Sequence, residues 1–581
     1  MRSAACMVGL ALALHVSAPA YGTGTMRVGT GAIAETLDPP RMNDLDGLTQ
    51  AAAIYDTLYG FDPLARPPVM VPIAAGALPE VSADYRTFVV RVRPGIYFSP
   101  HPSFEGRPRE LVAADFAYAI RRVLDPKIRS TSWAMIEGKI EGLDELAQRA
   151  KDAGKGLDYD APVAGLALVD RYTLRIRLTA PDPIFPILLT SPVFAAVARE
   201  VVEAEGDNYG HRPVGTGAFV VAAYTPGHRL TLVRNPQYRS VTWDELLSPA
   251  SRAAYPDHPM RGRMLPALDR VEISSAPEGT SEVLALRRGE LDLIPLAVPE
   301  LAMRNGRLRD DFAREGIRLV RHQVNGTFVL VLNMRDPVVG GNAREKIALR
   351  RAIHMAFDDA EWIRVEGEIP TVRHQVVPPG IEGHVPGYRN PNLYSRAAAN
   401  ALLERFGYRR GADGFRRLPD GSALTVNVLL ENMLKTRKRG EFVKRMLDPI
   451  GIRVAIETVA PAEALKRIAN CHYGMAWTEW WLDFPDGTNA MMMFYGKAIG
   501  SSNMSCYDDP EFDAAYRKAQ VMAPGPARTE LFRTMQTRLD AFGPARPLPY
   551  GDIFMLKRAG VLGPFSTQTD WVQYTTLALD R

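Results

Sequence analysis

A chain of 581 residues cannot bury its apolar side chains around a single core, so we expect two or three domains. Hydrophobic residues make up 46% of the chain and charged residues 23%, as in ordinary globular proteins, which excludes wholesale disorder. The 70 basic residues nearly balance the 66 acidic ones, and no basic block is long enough to follow a phosphate backbone. We therefore expect a folded protein that does not bind nucleic acid.

The first 20 residues have the composition of a secretory signal peptide. Arg2 precedes a small and apolar run at residues 4–14, and residues 18–20 form an A-x-A cleavage pattern. The apolar run is shorter than the roughly 20 residues that a membrane-spanning helix requires. Cys6 lies before that run, too early to carry a lipid anchor. We predict cleavage before Tyr21 and export of a protein that is not a lipoprotein.

Removal of this leader leaves two cysteines, Cys471 and Cys506, which flank the segment WTEWWLDFPDGTNAMMMFYG at residues 477–496. In an oxidising compartment a pair of cysteines is more often bridged than free. We therefore predict a disulfide that closes a loop around this segment. Two buried free thiols are the alternative.

The enclosed segment combines indole rings with carboxylates that have no basic neighbour in the sequence before Lys497. A carboxylate such as Asp483, beside Trp480 and Trp481, can hold a cation by a charge-assisted hydrogen bond and by cation–π attraction. Asp483 could instead be a turn acid that accepts backbone N–H groups. Glu479 is a further acid of the segment, and pairing with an arginine elsewhere in the chain is its alternative.

Turn residues between β-rich runs predict hairpins at three places. They are residues 87–99, turning at Pro94, residues 166–183, turning at Asp170, and the run after Gly215, turning at Pro226. Asn342 and Glu345 have the spacing of a helix capping box. Strands and helices are mixed without strict alternation, which favours interleaved α/β domains over domains strung in series.

Seven segments of the chain occur in an order that is typical of one family. They are VRPGIYFS, LVAADFAYAIRRVLDP, PVGTGAFVVAAYTPGHRLTLVRNPQY, LRRGELDLI, LRRAIHMAFDD, WWLDFPDGTNAMMMFYG and SNMSCYDDPEFDAAYRKAQ. Together they resemble the periplasmic oligopeptide- and dipeptide-binding proteins of ABC importers, extracellular solute-binding protein family 5. The resemblance runs from about Thr36 to the C-terminus.

The resemblance implies an α/β protein with the large bilobed periplasmic-binding-protein fold and an extra inserted subdomain. Lobe I is expected at residues 21–45, 161–269 and 546–581, with the subdomain inserted at 46–160, and lobe II at 270–545. Because the chain crosses between the lobes, opening and closing by a hinge is the expected motion.

The resemblance also implies capture of peptides between the lobes, by a monomer in the periplasm that delivers them to an ABC permease and ATPase complex. No catalytic residue, cofactor or metal is expected. In the relatives, the acid of a Trp-x-x-Asp pattern pairs with the α-ammonium of the ligand, and Trp480 and Asp483 match that pattern. Glu479 is an added acid beside the tryptophan of the pattern, and Trp481 stands where small residues are frequent in the family. These two differences predict a narrower, more aromatic pocket.

Two alternative functions remain open. The same fold could bind a non-peptide solute such as an oligosaccharide, with Trp480 and Trp481 as stacking platforms. A secreted hydrolase could use Glu479 and Asp483 as acid and base, although such pairs usually flank a substrate from separate elements.

Overall fold

The computed structural model describes residues 24–42, 44–275, 279–304, 306–322, 324–366, 371–563 and 573–580. The expected signal peptide, residues 1–20, lies outside these ranges. Within them, no helix combines the length and the apolar composition needed to cross a membrane.

The largest element is a mixed sheet of seven strands, called the large sheet below. In spatial order its strands are Ile317–His322, Ile553–Arg558, Leu293–Pro295, Thr25–Thr30, Arg270–Ser275, Arg229–Arg234 and Phe219–Thr225. The central strand Thr25–Thr30 pairs in parallel with both of its neighbours, and the remaining pairs are antiparallel. Apolar clusters cover both faces of this sheet.

A second sheet has five strands and forms the other half of the molecule. In spatial order its strands are Arg453–Val459, Thr425–Glu431, Met475–Trp481, Gly326–Leu332 and Ala545–Pro547. Side chains along a strand point alternately to opposite faces. Leu330 and Trp477 accordingly pack into the cluster on one face, and Val331 and Ala476 into the cluster on the other.

A small sheet of four strands packs against the large sheet. Its strands, in spatial order, are Glu80–Val81, Thr87–Arg91, Thr173–Arg177 and Leu166–Leu168. Phe88 and Ile176 of the small sheet belong to the same buried cluster as Val28 and Ile273 of the large sheet. The small sheet and the large sheet therefore share one core.

Helices and short strand pairs complete the described chain. The α-helices are Leu45–Ile54, Ala113–Arg122, Leu143–Asp152, Phe185–Leu188, Arg199–Glu205, Pro249–Ala254, Gly279–Arg288, Asp310–Arg314, Arg344–Ala356, Asp359–Val365, Arg396–Arg405, Leu434–Leu447, Pro461–Ala469, Gly487–Met491, Pro510–Gln520 and Pro526–Phe542. The strand pairs are Tyr59–Phe61 with Met70–Pro72, Val241–Thr242 with Met264–Leu265, Met303–Arg304 with Arg307–Leu308, and Val561–Leu562 with Ala578–Leu579.

The strands found in each sheet do not follow the residue ranges expected for the two lobes. Leu293–Pro295 and Ile317–His322, which the resemblance assigns to lobe II, pair within the large sheet, and the chain enters the second sheet only at Gly326–Leu332. The small sheet likewise includes Leu166–Leu168 and Thr173–Arg177, beyond the expected end of the insertion at residue 160. Motif order locates the boundaries only approximately, because strand pairing decides which strands share a sheet. The remaining divisions stay a prediction.

Two of the three predicted hairpins form. Leu166–Leu168 pairs antiparallel with Thr173–Arg177, and Phe219–Thr225 with Arg229–Arg234. The hairpin predicted at Pro94 is wrong, because Thr87–Arg91 pairs antiparallel with Glu80–Val81, just before it in the chain, and with the distant strand Thr173–Arg177. The predicted capping box is also wrong, since the helix Arg344–Ala356 begins after Ala343, one residue later than the box requires.

The predicted disulfide between Cys471 and Cys506 is present, with the two Cα atoms 6.1 Å apart. The bridge joins residues 35 positions apart and closes a loop that contains the strand Met475–Trp481 and the helix Gly487–Met491. Both cysteines have positive φ angles, 60° and 55°, which residues other than glycine seldom adopt. The bridge thus joins two residues with a left-handed backbone conformation, one at each end of the loop.

We predict that a Cys471→Ser/Cys506→Ser variant loses about 3–4 kcal/mol of unfolding free energy, because the loop is no longer constrained in the unfolded chain. Urea denaturation followed by circular dichroism measures this loss. Dithiothreitol should shift the transition of the wild type by a similar amount and leave the variant unchanged. An identical transition for oxidised and reduced wild type would contradict the prediction.

Candidate functional site

A cavity of about 450 Å³, called the interlobe cavity below, lies between the large sheet and the second sheet. Leu296 and Phe554 line it from the ends of two strands of the large sheet. Phe328, Glu479 and Trp481 line it from two strands of the second sheet. Because its walls come from both halves of the molecule, a ligand inside it contacts both.

Side chains along the strand Met475–Trp481 alternate between its two faces, and the predicted site residues therefore lie on different faces. Trp477, Glu479 and Trp481 share one face, and Glu479 and Trp481 reach the interlobe cavity. Trp480 points to the opposite face, where it packs partly buried against the cluster that contains Ala476. The structure therefore brings Glu479 and Trp481 together at the cavity and places Trp480 behind them.

One edge of this strand is open beside the cavity. Along its whole length the strand pairs antiparallel with Gly326–Leu332, whereas its pairing with Thr425–Glu431 involves only Met475 and Ala476. The bond from Leu482 N–H to Asn325 O fixes the register, so that even-numbered residues of the strand bond to Gly326–Leu332. The backbone N–H and C=O groups of Glu479 and Trp481 consequently point toward the open edge.

Asp483 follows the end of this strand and is exposed. Within the described part of the chain, no basic side chain forms an ion pair with its carboxylate. Asn489 holds it in place, because its Nδ2 donates to Asp483 Oδ2 at 2.9 Å and its Oδ1 accepts from Asp483 N–H at 3.2 Å. The same Oδ1 accepts from Trp480 Nε1 at 2.9 Å, so one buried amide orients both the acid and the indole.

The carboxyl of Asp483 lies among many protein atoms although it remains open to water. Desolvation raises its pKa above the ordinary 3.8, against the hydrogen bond from Asn489, which lowers it. Asp483 is not among the residues that line the interlobe cavity, but the next residue, Phe484, packs against the core of the large-sheet lobe. The acid thus lies next to a contact between the two lobes.

The turn acid of this segment is Asp486. It is fully buried, caps the helix Gly487–Met491 by accepting from Thr488 N–H, and receives two hydrogen bonds from Arg528, at 2.6 and 2.8 Å. Its charge is therefore balanced inside the protein. The turn-acid alternative considered for Asp483 describes Asp486 instead, since Asp483 accepts a side-chain amide and caps no helix.

A second cavity of about 440 Å³, called the branch cavity below, shares Phe328, Arg439 and Glu479 with the interlobe cavity. Arg439 is buried and donates to both carboxylate oxygens of Glu366 at 2.9 and 3.0 Å. Its guanidinium also lies 4.8 Å from the centre of the Phe328 ring. Sequence reasoning missed these residues, because they are separated from Glu479 by at least 40 positions and carry no motif.

The acids Glu479 and Asp483 do not converge on one cavity. Glu479 lines both cavities, and Asp483 lines neither. Glu479 and Asp483 therefore do not flank a common cavity, as the hydrolase alternative requires of its acid and base. Among the described residues, no group of three His, Cys, Asp or Glu side chains is placed to hold a metal ion.

A family model described as "Bacterial extracellular solute-binding proteins, family 5 Middle" matches residues 69–502. Di/tripeptide-binding protein 2 of Pseudomonas aeruginosa is 24% identical over 555 residues, which cover 93% of this chain and 92% of that protein. The periplasmic oligopeptide-binding protein OppA of Escherichia coli is 22% identical over 465 residues, which cover 77% of this chain and 74% of OppA.

Solved structures share the fold. The periplasmic binding protein DppA of Helicobacter pylori, in complex with the peptide STSA, aligns with a TM-score of 0.70 and 21% identity, covering 97% of this chain and 99% of that one. The bilobed α/β architecture expected from the sequence is confirmed by this similarity.

The raised pKa of Asp483 predicts how an Asp483→Asn variant responds to pH. The folded state binds the proton more tightly than the unfolded state, so the ionised carboxylate lowers stability at neutral pH, and this cost disappears as pH falls below the ordinary pKa. We expect the variant to be more stable than the wild type at pH 7, by less than about 1 kcal/mol because the residue is exposed.

Denaturant titrations at pH 7 and pH 4 measure this difference. It should shrink at the lower pH. A variant that is less stable than the wild type at pH 7 would show that Asp483 already has a stabilising partner.

Proposed function

The chain belongs to the bacterial extracellular solute-binding proteins of family 5, and from this premise we propose that it captures short peptides between its lobes for an ABC importer. The observation that carries the proposal is the interlobe cavity, whose walls come from both sheets. A ligand that touches both walls stabilises the closed form of a hinged protein, because only that form offers both sets of contacts. The names of the relatives, which are di/tripeptide- and oligopeptide-binding proteins, support peptides as the ligand class.

The open strand edge supports the same ligand class. An extended peptide carries a row of backbone N–H and C=O groups and can add to a free edge as an extra strand. The backbone groups of Glu479 and Trp481 offer such an edge beside the cavity. A sugar would find stacking surface on Trp481, which is 39% exposed, but it would leave this backbone edge unpaired.

Asp483 is the proposed partner of the ligand's α-ammonium group. Its carboxylate has no ion pair within the described chain and is held by Asn489 beside an interlobe contact. Closure of the lobes would remove water from this position and strengthen a charge-assisted hydrogen bond. In this proposal Trp480 supports Asn489, and Trp481 and Glu479 contact the ligand directly.

The cellular setting completes the proposal. We place the mature protein in the periplasm after removal of residues 1–20, where a monomer delivers the peptide to a permease and ATPase complex in the inner membrane. The protein acts as a binding protein and not as an enzyme. The two acids considered for a hydrolase do not share a cavity, since Glu479 lines both cavities and Asp483 lines neither, and this supports the binding role.

Isothermal titration calorimetry with trialanine and N-acetyl-trialanine tests the ammonium site. We predict that the wild type binds trialanine at least about tenfold more tightly than the acetylated peptide, since acetylation removes the charge. Asp483→Asn should weaken trialanine binding by about 2–5 kcal/mol, because the ammonium would be buried without its partner. The variant should also discriminate little between the two peptides.

Asp508→Asn is the matched control, since Asp508 is an exposed acid of the same lobe that lies beyond the loop closed by Cys471 and Cys506. It should bind both peptides as the wild type does. Equal binding of trialanine and its acetylated form by the wild type would refute the ammonium assignment, and absence of binding to any peptide would refute the proposed function.

A further inference from the structure

The branch cavity has features that the proposed capture of a peptide backbone does not use. It lies where the strands Thr425–Glu431 and Met475–Trp481 end, between the helices Leu434–Leu447 and Pro461–Ala469. The crevice outside the carboxyl ends of neighbouring parallel strands is a common ligand position in α/β folds. Because it shares three lining residues with the interlobe cavity, it lies directly beside the place where we propose that the peptide binds.

Most of the branch cavity is apolar. Its apolar lining residues are Phe328, Leu429, Leu430, Pro461, Ala462, Ala464, Leu465, Ile468, Trp477 and Met504. A volume of about 440 Å³ is ample for one long side chain together with some water. These walls favour a ligand group with several methylene or ring carbons.

Two carboxylates interrupt the apolar lining, Glu431 at the end of one strand and Glu479 on the neighbouring strand. In the described chain neither side chain has an ion pair or a side-chain hydrogen bond. Among the described lining residues the only basic one is Arg439, which is already neutralised by Glu366. Within the residues that the structure describes, the two carboxylates therefore have no partner of opposite charge in this largely apolar cavity.

A third feature of the lining is a buried donor without an acceptor. Trp477 is 9% exposed, and its Nε1 has no hydrogen-bond partner among the described residues. A buried N–H that lacks an acceptor is costly, so a ligand that brings a carbonyl oxygen or a bound water to this wall gains by satisfying it. The peptide group adjoining a ligand side chain supplies such an oxygen.

We propose that the branch cavity is a specificity pocket for a basic side chain of the ligand, lysine or arginine. The inference rests on the proposed function and specifies its substrate class. The methylene stem lies along Leu430, Ile468 and Trp477, while the cationic head lies between the carboxylates of Glu431 and Glu479. Long basic side chains combine an apolar stem with a charged end in this way. A phenylalanine or leucine would fill the same walls and leave both carboxylates unpaired.

Calorimetry with six tripeptides tests the proposal. Each contains two alanines and either lysine or norleucine, at the first, second or third position, so each pair differs only by the ammonium group. At one position the wild type should bind the lysine peptide at least about tenfold more tightly than its norleucine counterpart. Glu431→Gln and Glu479→Gln should each reduce that ratio several-fold. Circular dichroism confirms that the variants are folded.

Glu463→Gln provides the matched control, because Glu463 is an exposed acid on the helix Pro461–Ala469 and does not line the cavity. It should keep the wild-type ratio, which separates local pairing from a general loss of negative charge. Stronger salt should lower the lysine preference of the wild type.

Three results would overturn the proposal. One is norleucine binding as tightly as lysine at every position, and another is an unchanged ratio in both the Glu431 and Glu479 variants. In either case the binding of trialanine by the wild type would show that peptide capture stands without this pocket. The third is binding of none of the peptides, trialanine included, which would remove the proposed function and this inference with it.

Discussion

The strand Met475–Trp481 is held by main-chain pairing along one full edge and, on the other edge, at only its first two residues. This uneven pairing determines which side chains and backbone groups of the strand face the interlobe cavity. The paired edge fixes which side chains point to which face, and the free edge leaves backbone groups of Glu479 and Trp481 beside the interlobe cavity. The disulfide of Cys471 and Cys506 closes the loop that contains this strand.

The two aspartates that follow the strand differ in burial and in pairing. Asp486 is buried, and Arg528 satisfies it with two hydrogen bonds, so its removal would leave the buried guanidinium with only the longer ion pair to Glu382. Asp483 is exposed and has a hydrogen bond from Asn489 but no cation within the described chain. Asp486 therefore anchors the loop, and Asp483 is the acid that we propose as the partner of the ligand's charge.

Local sequence patterns predicted those features that depend on neighbouring residues. The hairpins at residues 166–177 and 219–234 and the disulfide follow from turn residues and cysteine count, and all are present. The hairpin at Pro94 failed because both edges of the strand Thr87–Arg91 are already paired, one with the preceding strand Glu80–Val81 and the other with the distant strand Thr173–Arg177. No local sequence pattern reveals the second, long-range pairing.

The candidate site shows the same limit. The segment at residues 477–496 contains Glu479 and Trp481, which line the interlobe cavity, and the alternation of side chains along a strand separates these two from Trp480. Phe328, Glu431 and Arg439 join the site only through the order of strands and helices in the second sheet. Their roles depend on which charged side chains have a partner in the folded protein, and the amino-acid sequence does not show this pairing.

A crystal structure of the protein with bound trialanine tests the central claim most directly. The account predicts a peptide that contacts both sheets, with its ammonium nitrogen about 3 Å from a carboxylate oxygen of Asp483. A peptide outside the interlobe cavity, or an ammonium group paired with Glu479 or Glu431 instead, would contradict the account.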